Sequence, residues 1–169
     1  MALPPQLLKI GKDYTQKIAG YISGDFTSAT LQEKQAHCAE LRKMAAIAGA
    51  GITPLPIPFA DIWTVTPVQM AMVQATGNVY GFKITGKNVK AVFATVAGGW
   101  IGQQLCLALF KIGMPGAGGF GGAAFVWVWT HAMGKAAEAY FASGMTLTKD
   151  ELAEIRKKGM QDAPDRPAP

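Results

Sequence analysis

The stretch that decides the fold reads Ala91-Val-Phe-Ala-Thr-Val-Ala-Gly-Gly-Trp-Ile-Gly-Gln-Gln-Leu-Cys-Leu-Ala-Leu-Phe110, and after a break at Lys111–Gly116 apolar residues continue from Gly118 to Met133. Apart from Lys111, this region contains no Lys, Arg, Asp or Glu. A helix on the surface of a soluble protein needs a polar face, and neither half has one. Each half is close to the ~20 residues that span a hydrocarbon core. This apolar hairpin must therefore be buried on all sides, by lipid, by other copies or by the rest of the chain.

The composition narrows the class of protein. Charged residues make up 16% of the chain, against about 25% in an average soluble domain. The net charge is +5, and the basic residues flank the apolar hairpin instead of alternating with aromatic residues. This distribution suits an anionic membrane surface better than a nucleic acid. The N-terminus lacks a basic region followed by an apolar one, so we expect no signal peptide and a cytosolic start of the chain.

Helical signals surround the apolar hairpin. Apolar residues recur at helical spacing over Gln6–Ile22, which predicts an amphipathic helix. Two segments have the form of capping boxes and predict helix starts: Thr30-Leu-Gln-Glu33 and Thr148-Lys-Asp-Glu151. The helix that follows the first is expected to have Leu31, Cys38, Leu41 and Ala45 on its apolar face. The helix that follows the second is expected to be short and to end near Gly159. Further helices are expected over Ile62–Val79, Val89–Phe110 and Gly118–Phe141.

No segment alternates with period two, so the predicted fold is all-α. We expect a helical bundle built on a Gly-rich apolar helical hairpin, with amphipathic N-terminal helices and a short C-terminal helix. Three parts follow from the composition: an amphipathic helical part over residues 1–41, a membrane-associated or interaction domain over residues 42–158, and a disordered Pro-rich tail over residues 159–169.

Two glycine patterns resemble nucleotide-binding motifs. Gly81-Phe-Lys-Ile-Thr-Gly-Lys-Asn88 fits a P-loop except at Asn88, where a hydroxyl must hold magnesium, and Gly116–Gly121 fits the dinucleotide fingerprint. Both lack the preceding strand that gives such motifs their meaning. We therefore expect a helix-to-helix link at the first, a glycine-rich helix start at the second, and no cofactor.

Catalytic and metal-binding groups are sparse. His37 and His131 have no partners at metal-ligand spacing; His37 is expected at the surface, and a core role for His131 is favoured over a ligand role. Pro56 and Pro58 predict an extended turn. Asp61, which follows it, is read as a helix cap, with an interfacial polar site as the alternative. No catalytic residues and no metal site are predicted, and the chain is not expected to be an enzyme.

Small and aromatic residues give the candidate contact sites. Ala94, Gly98 and Gly102 recur every fourth residue, as do Gly118 and Gly122, and such faces let helix backbones approach closely. They predict helix packing or interaction. The tryptophans fit either core packing or an interface, and membrane or partner contact is predicted for Trp100, Trp127 and Trp129.

Six short blocks lie in order over roughly Arg42–Lys158: Pro56-Ile-Pro-Phe-Ala-Asp61, Gln69-Met-Ala-Met72, Tyr80-Gly81, Gly98-Gly-Trp-Ile-Gly102, Lys111-Ile-Gly-Met-Pro115 and Thr130-His-Ala-Met-Gly134. Their order and spacing resemble a known family, the bacterial GTPase-associated helical domain of unknown function. That domain is found in YcjF-type inner-membrane proteins and beside or fused to Era-like and dynamin-like GTPases. The resemblance implies an all-α, membrane-linked module that works with a GTPase on a separate chain, and it implies no catalytic residues.

These observations favour a non-enzymatic, membrane-associated helical interaction module on the cytosolic face of the cytoplasmic membrane. Membrane lipid, a GTPase or other protein and further copies of the chain are the expected partners, and nucleic acid is not. The alternative is a soluble cytoplasmic bundle that oligomerises, or binds a partner or lipid, through its apolar hairpin. Covering three nearly charge-free helices within one chain of this size looks strained, which favours the membrane.

Overall fold

The computed structural model describes residues 5–52, 60–98 and 118–165. Within these ranges the chain forms helices and no strand, so the all-α prediction is confirmed. The helices are α1 (Pro5–Ser23), α2 (Leu31–Ile52), α3 (Ala60–Val79), α4 (Lys87–Ala97), α5 (Gly118–Ala142) and α6 (Lys149–Gln161).

The amphipathic character of α1 is confirmed. Tyr14 and Ile18 are buried against the bundle, whereas Lys9, Lys12 and Lys17 are exposed. The Tyr14 hydroxyl donates a 2.6 Å hydrogen bond to the carbonyl oxygen of Val68, which fixes α1 beside α3. The apolar spacing of the sequence thus gives both the helix and the face that it buries.

Both capping boxes form as predicted. The Glu33 carboxylate accepts from the Thr30 backbone N–H at 2.7 Å, and the Glu33 N–H donates to the Thr30 hydroxyl at 3.3 Å. Thr148 and Glu151 repeat the arrangement at 2.8 and 3.3 Å. Each box satisfies backbone donors that a helix start leaves free. Leu31 departs from its predicted place on the apolar face of α2: it is 62% exposed, and the next two residues, Gln32 and Glu33, are exposed as well.

The nearly charge-free helices α3 and α5 are covered by their own chain. α5 packs against α2, α6 and α3, and α3 packs against α2 and α1. The largest fully buried side chains come from five helices, α2 to α6, and include Leu41, Met72, Met133, Phe141 and Leu152. Among the described residues, the exposed large hydrophobic side chains are Leu31, Met145 and Met160. The expectation that these helices would strain a single chain therefore does not hold for the described parts of α3 and α5.

Contacts between α2 and its neighbours fix the helix directions. Gly49 lies against Val65 of α3 and Val126 of α5, whereas Arg42, two turns earlier, pairs with Glu138 of α5. α2 is therefore antiparallel to α5. The Arg42 and Met72 side chains both lie at Gly134, so α2 is also antiparallel to α3.

The remaining helices follow the same axis. Tyr14 bonds Val68, and Asn78 bonds the Tyr21 carbonyl, so α1 runs parallel to α3. Gly159 of α6 lies against Ala132 of α5, whose direction α6 opposes. One end of the bundle, here called the apolar end, consists of Ile47–Ile52, Ala60–Val68 and Gly118–Val128, with Asp61 as its one charge. The opposite end, the turn end, carries the connections at residues 24–30, 80–86 and 143–148.

The first half of the apolar hairpin differs from the prediction. A helix was expected over Val89–Phe110, but α4 ends at Ala97. Gly98 adopts a left-handed conformation with φ 58° and ψ 39°, and its N–H bonds the Ala94 carbonyl at 3.1 Å. Glycine ends helices in this way because it has no Cβ to oppose a positive φ.

Candidate interaction surface

The predicted packing face over Ala94 and Gly98 is not a contact between helix backbones. Ala94 is exposed. The space beside Gly98, where a Cβ would lie, is filled by the Nη2 atom of Arg156. The small-residue spacing therefore marks a helix end here, because Gly98 turns the chain out of α4 instead of continuing it.

Arg156 is buried where α4 ends. Its side chain is 8% exposed, and Nη1 donates a 2.7 Å hydrogen bond to the Val96 carbonyl oxygen. Burial lowers the pKa of its guanidinium. Within the described residues no carboxylate lies at ion-pair distance from Arg156. Its charge instead faces the carbonyl end of a helix, where the backbone dipole favours a cation.

Among the described residues, helices approach closely at three glycines that were not among those predicted. Gly134 lies under the aliphatic part of the Arg42 side chain. A Cβ at Gly159 would lie 2.9 Å from Cα of Ala132, so α6 and α5 meet there almost backbone to backbone. Gly49 is packed against Val126, 3.1 Å from where a Cβ would be. None of these three lies in the four-residue repeats, so spacing within one helix did not reveal them.

The remaining predicted site residues divide into two groups. Gly118 and Gly122 lie in the first turns of α5, and Asp61 lies in the first turn of α3, where the side chains are outside the described set. Outside the described residues altogether lie Pro56, Pro58, Trp100 and Gly102.

Trp127 belongs to the core and not to an exposed contact surface. It is 3% exposed, and its Nε1 donates a 2.7 Å hydrogen bond to the Pro164 carbonyl oxygen. His131, one turn on, packs against its ring at a centroid distance of 4.8 Å. The predicted core role of His131 is confirmed, since it is buried with Nδ1 3.4 Å from the Trp127 carbonyl oxygen.

Trp129 is half-buried and stacks on Phe125, with ring centroids 6.0 Å apart. Its Nε1 is buried and has no hydrogen-bond partner among the described residues, and the same is true of Oε1 of Gln69. The Gln69 amide nitrogen donates to the Thr130 hydroxyl at 3.0 Å, between α3 and α5. α3 and α5 are therefore joined by polar groups as well as by apolar packing.

A partly buried cluster of polar side chains lies between α2, the end of α3 and α5. Arg42 and Glu138 form an ion pair, with 13% and 18% of their side chains exposed. Burial, followed by the Glu138 charge, raises the pKa of the Tyr80 hydroxyl to about 12. Burial also raises the pKa of the Cys38 thiol to about 12, so this thiol stays protonated and unreactive at neutral pH.

His37 is not a free surface residue, contrary to the sequence-based expectation. It is half-buried between the rings of Tyr21 and Phe26, at centroid distances of 5.5 and 5.2 Å. The Tyr21 hydroxyl lies 3.2 Å from His37 Nδ1 and donates to Glu40 at 2.7 Å. This cluster ties the end of α1 to α2.

Exposed lysines lie beside the apolar end. Lys9 and Lys12 precede Tyr14, which contacts Val68, so they lie level with the first turns of α3. The chain leaves α2 at Ile52 and enters α5 at Gly118 at this same end. The apolar end thus combines charge-poor helix termini with a basic flank.

The described residues offer neither a membrane-spanning helix nor a metal site. Within residues 5–52, 60–98 and 118–165, no helix is both long enough and apolar enough to cross a membrane. The same residues contain no group of three or more His, Cys, Asp or Glu placed to hold a metal ion. Comparison of the chain with models of protein families, with curated proteins and with solved structures found no match.

Proposed function

We propose that this chain is a non-enzymatic helical interaction module that docks on the cytosolic face of a membrane through the apolar end of its bundle. One observation supports this most: the termini of α2, α3 and α5 that carry a single charge meet at one end, and exposed Lys9 and Lys12 lie beside them. Apolar contact and attraction to anionic lipid then act on the same surface.

The arrangement favours the end of the bundle over its sides as the docking surface. The sides of α3 and α5 already contact α1, α2 and α6, and are therefore occupied by protein. Residues 53–59, which connect two helix termini at the apolar end, carry no charge, and residues 99–117 carry only Lys111. Each lysine near an anionic surface adds about 1 kcal/mol of binding free energy.

A GTPase or a second copy of the chain is the proposed protein partner. The GTPase proposal rests on the resemblance of residues 42–158 to the GTPase-associated helical domain. The alternative function is a soluble bundle that oligomerises, or binds a partner or lipid, through the same apolar end. The cover that the chain gives its own α3 and α5 favours this alternative, because it lets the helices fold without lipid.

Vesicle sedimentation tests the proposal. The full chain should sediment with vesicles that contain phosphatidylglycerol and much less with pure phosphatidylcholine. A Lys9→Gln/Lys12→Gln variant should bind the anionic vesicles roughly 30-fold more weakly, from about 1 kcal/mol per lysine. The matched control is Lys90→Gln/Lys149→Gln, which removes the same charge near the turn end and should leave binding unchanged.

Two results would contradict membrane docking. Equal loss in both variants would mean that net charge, and not the apolar end, governs binding. Recovery of the chain in the supernatant with every vesicle composition, together with a concentration-dependent dimer by light scattering, would favour the soluble alternative.

A further inference from the structure

A cleft of about 500 Å³ opens at the turn end, opposite the proposed docking surface. Its walls come from four places in the chain: the α1–α2 turn over residues 23–27, the end of α3 with Gln74 and Asn78, the α3–α4 link over residues 81–85, and Lys34 of α2. Pockets that hold small molecules are commonly about 300–1,000 Å³, and they form where several elements converge.

The walls of the cleft are fixed by side-chain bonds to the backbone. The Asn78 amide donates to the carbonyl oxygens of Tyr21 and Gly24 at 2.9 and 2.8 Å. The Gln74 amide donates to the Ile84 carbonyl oxygen at 2.9 Å. These bonds tie both loops to the end of α3, so the cleft is formed before any ligand enters and binding does not have to order it.

The charges that line the cleft favour an anion. Lys34 and Lys83 line the cleft, with Nζ of Lys34 5.9 Å from the ring centroid of Tyr80, and neither lysine has a carboxylate at ion-pair distance among the described residues. Asp25 is the one carboxylate in the lining, and it is held in its own turn by the Thr27 N–H at 2.9 Å and the Thr27 hydroxyl at 2.7 Å. The lining therefore carries a net positive charge.

Apolar and hydroxyl groups complete the lining. Half-buried Phe26 and Ile22 offer apolar surface, and exposed Thr85 offers a hydroxyl group, whereas the Thr27 hydroxyl is already donated to Asp25. Lysine suits phosphate as a point charge, whereas bidentate recognition of a carboxylate favours arginine, which the lining lacks. From this combination we propose that the cleft binds a small phosphate monoester whose organic part packs on Phe26 and Ile22.

The link that forms one wall, Gly81–Lys87, is the stretch that fits most of a P-loop. Here it connects two helices, with Gly81 at φ 89° and Gly86 at φ 57°, and no strand precedes it. Asn88 also replaces the hydroxyl that holds magnesium in a P-loop. The ligand is accordingly a monoester bound without magnesium, and not a nucleoside triphosphate.

The site is tested by titrating the full chain with phenyl phosphate. Binding is monitored through the changes in backbone amide chemical shifts in NMR spectra. The shifts should concentrate at the α1–α2 turn and the α3–α4 link. Lys34→Met and Lys83→Met should each weaken binding about ten-fold, as expected for loss of a charged hydrogen-bond donor. Lys90→Met, an exposed lysine outside the lining, is the matched control and should bind as the parent does.

Each other outcome overturns the proposal. Absence of saturable shifts in the lining would show that the cleft takes no such ligand, and equal affinity for uncharged phenol would show that it selects no anion. Unchanged binding by both lysine variants, each checked for a parental spectrum, would place the phosphate elsewhere.

A second experiment distinguishes a free phosphate monoester from a lipid headgroup. It uses vesicles that contain phosphatidic acid, a lipid whose headgroup is itself a phosphate monoester. We expect Lys34→Met/Lys83→Met to bind these vesicles as the parent does, because the cleft faces away from the apolar end. Loss of vesicle binding in this variant would assign the cleft to a lipid headgroup instead of a free ligand. Failure of the membrane proposal leaves the phenyl phosphate result unaffected.

Discussion

The Arg156 guanidinium donates a 2.7 Å hydrogen bond to the Val96 carbonyl oxygen and in doing so closes the last turn of α4. In a continuing helix this carbonyl would accept from the N–H four residues later. Gly98 turns the chain away with a φ of 58°, and Arg156 supplies the missing donor. The end of α4 is thus determined jointly by a local glycine and by a side chain from α6.

The first prediction concerns Gly98→Ala. A Cβ at this position meets positive-φ strain and also overlaps Nη2 of Arg156, which would have to leave the Val96 carbonyl. We expect a loss of about 2–4 kcal/mol in the free energy of unfolding, from strain of about 1–2 kcal/mol plus a buried bond. Urea denaturation measures it.

Gly144→Ala is the matched control, because Gly144 has a φ of 73° and nothing within 4 Å of a Cβ. Gly144→Ala should lower the free energy of unfolding only by the positive-φ strain. If the two variants lose the same stability, the contact between Gly98 and Arg156 contributes nothing. Gly98→Ala combined with Arg156→Met should lose less than the sum of the two single losses, since both remove one interaction.

The end of α4 also shows where sequence reasoning reaches its limit. Both capping boxes, the buried face of α1 and the span of α3 follow from signals within a few residues, and all agree with the structure. The contact of Arg156 with Val96 joins residues 60 positions apart. Arg156 lies in a helix rich in charged residues, and nothing in the neighbouring sequence indicates that its side chain is buried.

The candidate site was predictable only in part for the same reason. Small-residue spacing drew attention to Gly98, but its role there depends on Arg156. Gly134 and Gly159 make the close approaches because of what crosses them, Arg42 and Ala132, and those crossings are set by the packing of α2 and α6 on α5. The hydrogen-bond partner of buried Trp127 is likewise distant in sequence, since its Nε1 donates to the Pro164 carbonyl oxygen.

The second prediction concerns Gly159→Ala, which should destabilise the bundle. The new Cβ would lie 2.9 Å from Cα of Ala132, and backbone cannot yield as a flexible side chain can. Overpacking of this kind costs about 1–3 kcal/mol. Thermal unfolding followed by circular dichroism measures the loss. Gly20→Ala, in α1 with nothing within 4 Å, is the control and should be neutral or stabilising by about 0.5–1 kcal/mol. A stabilised Gly159→Ala would show that α5 and α6 lie farther apart.

The third prediction concerns the buried pair Gln69 and Thr130. Thr130→Val should cost about 1–3 kcal/mol, because it leaves the Gln69 amide nitrogen buried without its 3.0 Å partner. Gln69→Met should cost less, since it also removes Oε1, which has no hydrogen-bond partner among the described residues. The double variant should recover most of the stability that Thr130→Val loses.

Chemical denaturation of the four proteins gives the coupling between the two positions. Strictly additive losses would mean that the hydrogen bond between α3 and α5 does not contribute to stability. A double variant less stable than either single variant would mean that the loss comes from packing volume.

The fourth prediction concerns His131 and pH. Burial, with smaller effects from the charges of Arg42 and Lys135, lowers the pKa of its imidazole below the ordinary value of 6.5, and the bond to the Trp127 carbonyl opposes this shift. The unfolded chain therefore binds a proton on His131 at a higher pH than the folded chain does. The stabilisation is complete above pH 6.5 and is lost as the pH falls from 6.5 through the folded pKa, with a slope of at most about 1.4 kcal/mol per pH unit.

His131→Phe keeps a ring against Trp127 but cannot titrate, so it should flatten the pH dependence of the free energy of unfolding between pH 7 and the folded pKa. Glu151→Gln is the control, because it removes a group that titrates in a lower pH range. Hydrogen bonds from Thr148 lower the pKa of the Glu151 carboxyl from 4.5, so its contribution is lost only below that pH. The control should therefore keep the parental slope near pH 6. A parental slope in His131→Phe would contradict the prediction, because the proton uptake would then belong to another group.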